Sequence, residues 1–486
     1  MSRSISLCLL IAALGCGCKD GSEAAAETGV EAGAETGAEA GAETETGAEA
    51  GAETGAETGA ETETGAETGA EAEAGAETDG ETETGGETEE DAGPQVSACN
   101  ADHPVANAFI ASGFCVSEWA SGLGAPRGIF VAESGDVLVV ERQKGQVTAL
   151  WDADGDHFSG PSERAALASA SGLNHGVTVH GGFLYASSAS TVYRWPYAPG
   201  TRSDLGKSTV VVRNIPTGGH STRTLVVDDA GLLYVSVGSG SNVDANSNRA
   251  RIRRFSLDAI PDGGLSFDDG QVFADGLRNE VGLDFDGQGR LWGVQNGIDQ
   301  LDRTSLGGDI HENNPAEELS LFETPGRFYG YPYCWSEFLL PDGVGGGPGT
   351  QWAHANFMDD GTHSDAWCKK ASNVVPPKLA MQAHAAPLDL EFYDGTAFPA
   401  SYRGDLFITF HGSWNRAVPT GYKLVHVHLD GGTPQPPEPF FEFAGAGDIA
   451  TGWPHRPVGV RVGAEGQLFV TSDASNRIFV IGYEGD

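Results

Sequence analysis

The chain has 486 residues and carries 69 acidic against 28 basic side chains, a formal net charge of −41. A balance this acidic excludes nucleic acid as a partner, since a phosphate backbone would be repelled. No apolar run is long enough to cross a bilayer, so membrane contact has to come from an anchor.

Residues 1–15 read as an export signal. Arg3 gives a basic start, residues 7–14 are apolar, and Ala13-Leu14-Gly15-Cys16 ends the segment with small residues before a cysteine. That ending resembles a bacterial lipobox, which makes Cys16 the lipidated first residue of the mature protein. An ordinary secretory signal is the plainer alternative. Gly17 follows Cys16 where an Asp would signal retention, and by resemblance to enteric lipoproteins this directs the anchor to the outer membrane. The implied address is exported and attached to the cell envelope through lipid alone.

Residues 16–96 form a second region of GAET, GAEA and ETET units. Between 23 and 90 it holds no aromatic residue, Lys or Arg, and with Asp20 and Asp91 it carries 24 carboxylates. Like charges crowd any helical turn and glycine recurs every few residues, so a disordered, extended linker is expected. A solvated spacer is a simpler reading than a cation-binding brush.

From 97 to 486 the chain turns aromatic, β-branched and Gly-rich, with almost no helical periodicity. Beyond Cys8, Cys16 and Cys18, four cysteines remain. An even number in an exported domain implies two disulfides, and neighbours in sequence are the simplest pairing: Cys99 with Cys115, Cys334 with Cys368. Their spacings fit no zinc pattern.

Six segments of this region share one grammar: 126–141, 174–188, 218–242, 278–297, 386–416 and 456–477. In each, a strand with period-two apolar residues meets a Gly turn and returns as a second strand. In the first, Ile129 and Val131 face one way and Val137 and Val139 answer. Further strands lie between the units, and the early spacing is about 50 residues, the period of a four-stranded blade. The expected fold is all-β, a six-bladed β-propeller. A seven- or eight-bladed propeller with a degenerate blade in 304–383 is the alternative, and a β-sandwich would not need six equivalent hairpins.

Antiparallel hairpins put the residues leading into strand one and those leaving strand two on the same face. The lead-in residues are His175, His220 with Arg223, Arg278 with Asn279, His384 and Arg456; the exit residues are Asn296, His411, Asn415, Arg416 and Asn476. Polar groups converging on a propeller axis fit a binding site better than a core.

GGHSTRTLVV, GLRNEVGLDFDGQGRLW, GRFYGYPYCW, HAAPLDLEFY, the HGSWNR run and RPVGVRV resemble the glucose/sorbosone dehydrogenase family from about residue 123 to 483. Those proteins are six-bladed propellers that oxidise sugars with pyrroloquinoline quinone (PQQ) and calcium. The resemblance implies His220 as the base that takes the hydroxyl proton, a role suited to imidazole near neutral pH. It implies Arg278 as the group polarising the quinone oxygen, with Asn279 beside it, and Arg456 on a cofactor carboxylate. Asn415 or Arg416 stands where another cofactor contact is expected. His175 and Arg223 are read as further pocket residues, with an ion-paired brace as the other reading of Arg223. Calcium is implied on backbone carbonyls of Asn296, Gly297 and Ile298, as a Lewis acid. The acidic loop after them, with Asp299, Asp302, Asp309 and Glu312, is either a further ligand source or a solvated loop.

The pattern also departs from the family. Ser239 stands where soluble glucose dehydrogenases carry an acidic residue and sorbosone-type relatives a serine. Val458 occupies the place of a second arginine, and Ile298 that of a proline. His384 and His411 read equally well as structural hydrogen-bonders. Trp414 and Trp453 read as blade packing before ligand stacking, and Asp473 and Asn476 as turn caps.

The expected protein is therefore a lipid-anchored PQQ- and calcium-dependent oxidoreductase of a sugar or sugar-aldehyde, passing electrons to an unidentified acceptor. The alternative is a non-catalytic propeller of the same scaffold that binds a glycan, small ligand or protein. A metal-dependent lactonase would want acidic ligands at the lead-in positions, which hold mainly His, Arg and Asn.

Overall fold

In the first hairpin Ile129 stands opposite Val139 and Val131 opposite Val137, the pairing that the period-two pattern predicts. The same alternation gives each blade two apolar faces. Val137 and Val139 pack toward the last blade with Phe469 and Val480, while Leu138 and Val140 pack toward the second with Leu184 and Trp195. Both faces must be covered, and six sheets arranged around one axis cover them mutually.

A computed structural model describes residues 98–485 except 247. The signal peptide, the linker and Cys16 lie outside the described residues. No helix among the described residues is long and apolar enough to cross a membrane.

The blades follow chain order. Their innermost strands are Pro126–Val131, Leu173–His180, Leu225–Val227, Glu280–Phe285, Pro387–Phe392 and Pro457–Val462. Three antiparallel strands extend each sheet outward, and the second, third and fifth sheets add a short fifth strand, parallel to its neighbour in the second and third. The sixth takes its outermost strand from the N-terminal side: Phe114–Ala120 pairs with Arg477–Tyr483, closing the ring. Cys115 lies on that closing strand and is bonded to Cys99.

The stretch 304–383 is no hidden blade. It supplies the third and fourth strands of blade four, Glu317–Phe322 and Leu379–Met381. Between them sits an insertion with its own strand pair, Cys334–Ser336 and Gln351–Ala353, tied by the Cys334–Cys368 disulfide.

Near the axis the inner strands approach so closely that side chains are excluded. A Cβ on Gly128 would strike the His175 carbonyl, and one on Gly176 the Arg223 carbonyl. Hydroxyls on second strands then stitch neighbouring blades. Ser187 Oγ donates to Arg223 O at 2.7 Å, Thr409 Oγ1 to Val458 O at 2.7 Å, and Thr471 Oγ1 to Arg127 O at 2.8 Å. Each satisfies a carbonyl that its own sheet leaves unpaired.

Candidate active site

The lead-in and exit face opens on a cavity of about 470 Å³, within the usual size range of ligand pockets. Five of the six blades or their loops line it. Arg127, His220, Arg278, His384 and Arg456 come from strand starts; Asn296, Gly297, His411 and Asn415 follow second strands. Leu388 lines the cavity and packs against Val281 and Val458, an apolar plug from three inner strands. Val458, in the place of a second arginine, is part of this plug.

His220 is held by one residue. Its backbone N–H donates to Ser239 O at 3.0 Å, and its Nδ1 lies 3.2 Å from that carbonyl and 3.0 Å from Ser239 Oγ. Ser239 spends its own hydroxyl proton on Ser241 O at 2.7 Å, so its Oγ accepts from His220. The imidazole proton is thereby fixed on Nδ1, leaving the Nε2 lone pair available. Burial, and secondarily the charge of Arg278, lower the His220 pKa to about 4, so the ring is a neutral base at neutral pH.

Arg278 is anchored beside it. Nη2 donates to Asp299 Oδ2 at 2.8 Å and to Asn242 Oδ1 at 2.9 Å. Asp299 also accepts from Asn415 Nδ2 at 2.7 Å, joining blade four to the loop of blade five. Asn415 Oδ1 is buried and has no hydrogen-bond partner among the described residues.

A second group gathers on the other side. Arg127 Nη1 meets Asp473 Oδ2 at 2.5 Å, and His411 Nε2 donates to Asp473 Oδ1 at 2.9 Å. Burial alone would raise the Asp473 pKa, but the His411 hydrogen bond and the Arg127 charge hold it below the usual carboxylate range. Arg456 bonds the carbonyls of His411 and Gly412, at 3.0 and 2.5 Å, and has no carboxylate partner among the described residues. Its positive charge faces the cavity uncompensated, which suits an anionic ligand.

Oxygen donors collect on the Gly297 side. Asn296, Gly297, Asp299 and Glu317 all line the cavity. Glu317 accepts from Gly297 N at 2.7 Å and Ala386 N at 3.1 Å, and burial pushes its pKa up to about 8. A buried carboxyl, a second carboxylate and an amide side chain offer oxygen ligands on this side, the ligand chemistry of a hard divalent cation. The closest acidic trio among the described residues, Asp152, Asp154 and Asp156, lies elsewhere, on the loop joining the third and fourth strands of blade one.

Several expected pocket residues serve behind the wall instead. Arg223 is wholly buried, and its guanidinium donates to the carbonyls of Ala189, His220, Thr222 and Pro216. It braces the turn that presents His220, and its partners are carbonyls, with no ion pair among the described residues. His175 is buried behind Arg127, whose Nε donates to its Nδ1 at 3.4 Å. Burial and the Arg127 charge keep His175 neutral. Asn279 donates to Asn296 Oδ1 at 3.1 Å and so positions an exit residue. Arg416 is spent on Val418 O, Ala383 O and the Glu312 segment. The Ile298 side chain packs against Ala250 and Tyr331, away from the cavity.

Three contributors were not anticipated. Arg127 has a local signal, since Pro-Arg-Gly opens blade one as Leu-Arg-Asn opens blade four. Asp473 reads as a turn cap in sequence but forms the Arg127 and His411 pairs. Glu317 has no local signal, because the acidic loop that follows Ile298 separates it from Gly297 in the chain.

Fold and site together define a six-bladed propeller whose axial cavity is lined by a neutral imidazole, an arginine without a carboxylate partner among the described residues, and oxygen donors. The chain belongs to the TrAA12-like family, whose model matches residues 108–484. A pyrroloquinoline quinone-dependent pyranose dehydrogenase of Coprinopsis cinerea is 34% identical over 422 residues, covering 79% of this chain and 56% of that protein. The chain thus spans about half the length of that relative. A pyrroloquinoline quinone-dependent sugar dehydrogenase of Hypocrea jecorina is 32% identical over 397 residues, 75% of this chain and 87% of the relative. The calcium structure of a Trichoderma reesei family AA12 carbohydrate-active enzyme superposes with a TM-score of 0.68 at 30% identity, over 78% of this chain and 98% of that one.

Proposed function

We propose that this protein is an exported, lipid-anchored PQQ- and calcium-dependent oxidoreductase that oxidises a CH–OH or aldehyde group of a sugar. The observation that carries the reading is His220, with its proton fixed on Nδ1 by Ser239 and its Nε2 unbonded, in the same cavity as Arg456. Similarity to PQQ-dependent pyranose and sugar dehydrogenases supports the cofactor and the substrate class.

The residues fit the groups this activity requires. Among the described residues Arg456 lacks a counter-ion and Asn415 Oδ1 lacks a donor, and both line the cavity. Arg456 would hold a PQQ carboxylate, with Leu388 as the apolar surface beside it. Asn296, Gly297, Asp299 and Glu317 would hold calcium. When bound, PQQ supplies the hydride acceptor and calcium the Lewis acid that makes it electrophilic.

The chain's own part is to position and move a proton. His220 Nε2 takes the hydroxyl proton as the C–H bond gives up its hydride. The resulting imidazolium lies close to Arg278, which disfavours that charge and drives the proton onward to solvent. The Arg278–Asp299–Asn415 chain keeps the wall beside His220 fixed, so the reacting groups meet without reorganisation.

The test is to add PQQ and Ca²⁺ to the purified mature protein and follow cofactor binding by absorbance and calorimetry. Aldoses and polyols are then screened for reduction of an artificial acceptor. Saturable binding with sugar-dependent reduction is expected; no PQQ binding overturns the reading. Export and anchoring rest on Cys16, and Cys16→Ser is expected to release the protein from the membrane fraction.

A further inference from the structure

Trp414 is the large apolar residue that the fold should have hidden. Its side chain is 74% exposed, and among the described residues it is the one strongly exposed large hydrophobic that lines the cavity. The backbone on both sides is pinned. Ser413 N donates to Thr420 O at 2.8 Å and Tyr422 Oη to Ser413 O at 2.6 Å. Beyond it, Asn415 is tied to Asp299 at 2.7 Å, and His311 Nε2 donates to Asn415 O at 2.9 Å. An indole presented to water on a clamped backbone loses apolar burial and gains no packing in the free protein. It is repaid only when a ligand covers its face.

A second concavity adjoins this rim. A cleft of about 370 Å³ is lined by Asp309, Glu312, Asn313, Leu339 and Asp342. The Glu312 carboxylate accepts from Ala417 N at 3.1 Å and Val418 N at 3.2 Å, so cleft and tryptophan loop share one edge. Val418 is 68% and Leu339 57% exposed. Carboxylates and an amide beside exposed aliphatic and aromatic surface match a pyranose, which offers hydroxyls at its rim and C–H faces to stack.

We propose that Trp414 and this cleft form a subsite for a second sugar unit, so that the enzyme works on the end of an oligosaccharide. The reacting unit enters the axial cavity and its neighbour stacks on Trp414 toward Glu312 and Asp342. The inference rests on the dehydrogenase reading above, but the binding it requires does not depend on turnover.

The experiment uses the full mature protein. Kinetics with an artificial acceptor are compared for a monosaccharide and the matching di- and trisaccharides, in wild type, Trp414→Ala, Trp414→Phe and Asp342→Ala. Disaccharide binding to the cofactor-free protein is followed by tryptophan fluorescence and calorimetry. The disaccharide is expected to have a kcat/KM about 10-fold above the monosaccharide, mainly through KM. Trp414→Ala should lower disaccharide kcat/KM about 10-fold more than monosaccharide kcat/KM, with Trp414→Phe recovering part and Asp342→Ala losing less. Equal kcat/KM for the two chain lengths, or equal losses on both in Trp414→Ala, overturns the subsite. So does a Trp414→Ala defect seen only with a protein electron acceptor, which would make the rim a docking site for an electron carrier. Disaccharide binding that depends on Trp414 in a protein inactive toward every sugar supports the subsite and sinks the dehydrogenase reading instead.

Discussion

His220 donates its Nδ1 proton to Ser239 Oγ at 3.0 Å, while Ser239 gives its own hydroxyl proton to the Ser241 carbonyl at 2.7 Å. A serine thus does what an acidic partner does elsewhere: it fixes the tautomer. It does so without adding negative charge beside the ring, so the imidazole stays a weak but neutral base.

The two residues are expected to separate under mutation. His220→Ala should lower kcat by about 100-fold or more while PQQ still binds. Ser239→Ala should cost only about 10-fold, because the Ser239 carbonyl, 3.2 Å from Nδ1, remains as an acceptor. Single-turnover reduction and calorimetry measure both; equal losses in the two variants would mean that the carbonyl alone does not hold the ring, and no loss in Ser239→Ala that the hydroxyl is not what orients it.

The pH profile should carry the mark of burial. A base must be unprotonated, and His220 is lowered to about 4 by burial first and by Arg278 second. The acid limb of kcat/KM is therefore expected near pH 4, below the ordinary imidazole range. Stability follows the same sign. Between the unfolded value of about 6.5 and the folded value the native protein binds fewer protons than the unfolded chain, so stability falls as pH drops through that window. An acid limb at about pH 6.5 would remove His220 from the rate-determining proton transfer.

Two arginines should behave oppositely. Arg456→Met is expected to weaken PQQ binding by about 10-fold or more, since a charge-assisted contact is lost, with little change in the urea midpoint. Arg223→Met should remove the donor from four partly buried carbonyls, cost about 3 kcal/mol, and lower turnover by loosening the His220 turn. Urea denaturation beside cofactor titration distinguishes them, and a stable Arg223→Met protein with weakened PQQ binding would restore that arginine to the pocket.

Calcium binding should release a proton. Burial raises Glu317 to about 8 in the cation-free protein, so it is largely protonated at neutral pH and must ionise to become a ligand. Calorimetry at about pH 7 in buffers of different ionisation enthalpy is expected to report close to one proton released, falling toward none at about pH 9. Heat independent of buffer at neutral pH excludes Glu317 from the site.

The closing strand should depend on its staple. The Cys99–Cys115 bond spans 16 residues and ties the strand that completes the sixth blade. Its removal in Cys99→Ser with Cys115→Ser is expected to cost about 3 kcal/mol. Amide exchange should show the loss concentrated in 114–120 and 477–483; an even loss over all blades would mean that the ring closes without it.

Much of the fold was legible because its signals are local. Period-two alternation and a Gly turn mark each hairpin within about 20 residues, and repetition fixes the blade count. The parity of a hairpin also says which end of it faces the site, so His220, Arg278, Asn296 and Arg456 could be assigned to one face before any coordinates. Ring closure was not legible, because Phe114–Ala120 pairs with a strand more than 350 residues away.

Which lead-in side chain reaches the cavity was decided by tertiary structure alone. Inner strands of blades one and two shift register where Arg127 and His175 sit, between Pro126 and Ile129 and between Leu173 and Val177, and those of blades four, five and six shift just after their lead-in residues. A bulge resets the alternation, so parity carried along the strand cannot tell that Arg127 enters the cavity while His175 stands behind it. Arg223 and Glu317 make the same point from opposite sides. The first lies next to His220 in the chain but turns into the blade to satisfy carbonyls. The second lies 20 residues from Gly297 and reaches its amide only because blade four's third strand brings it back. By itself the sequence determined the hairpins, their number and the face they share. Packing around the axis determined which charges are left facing the ligand.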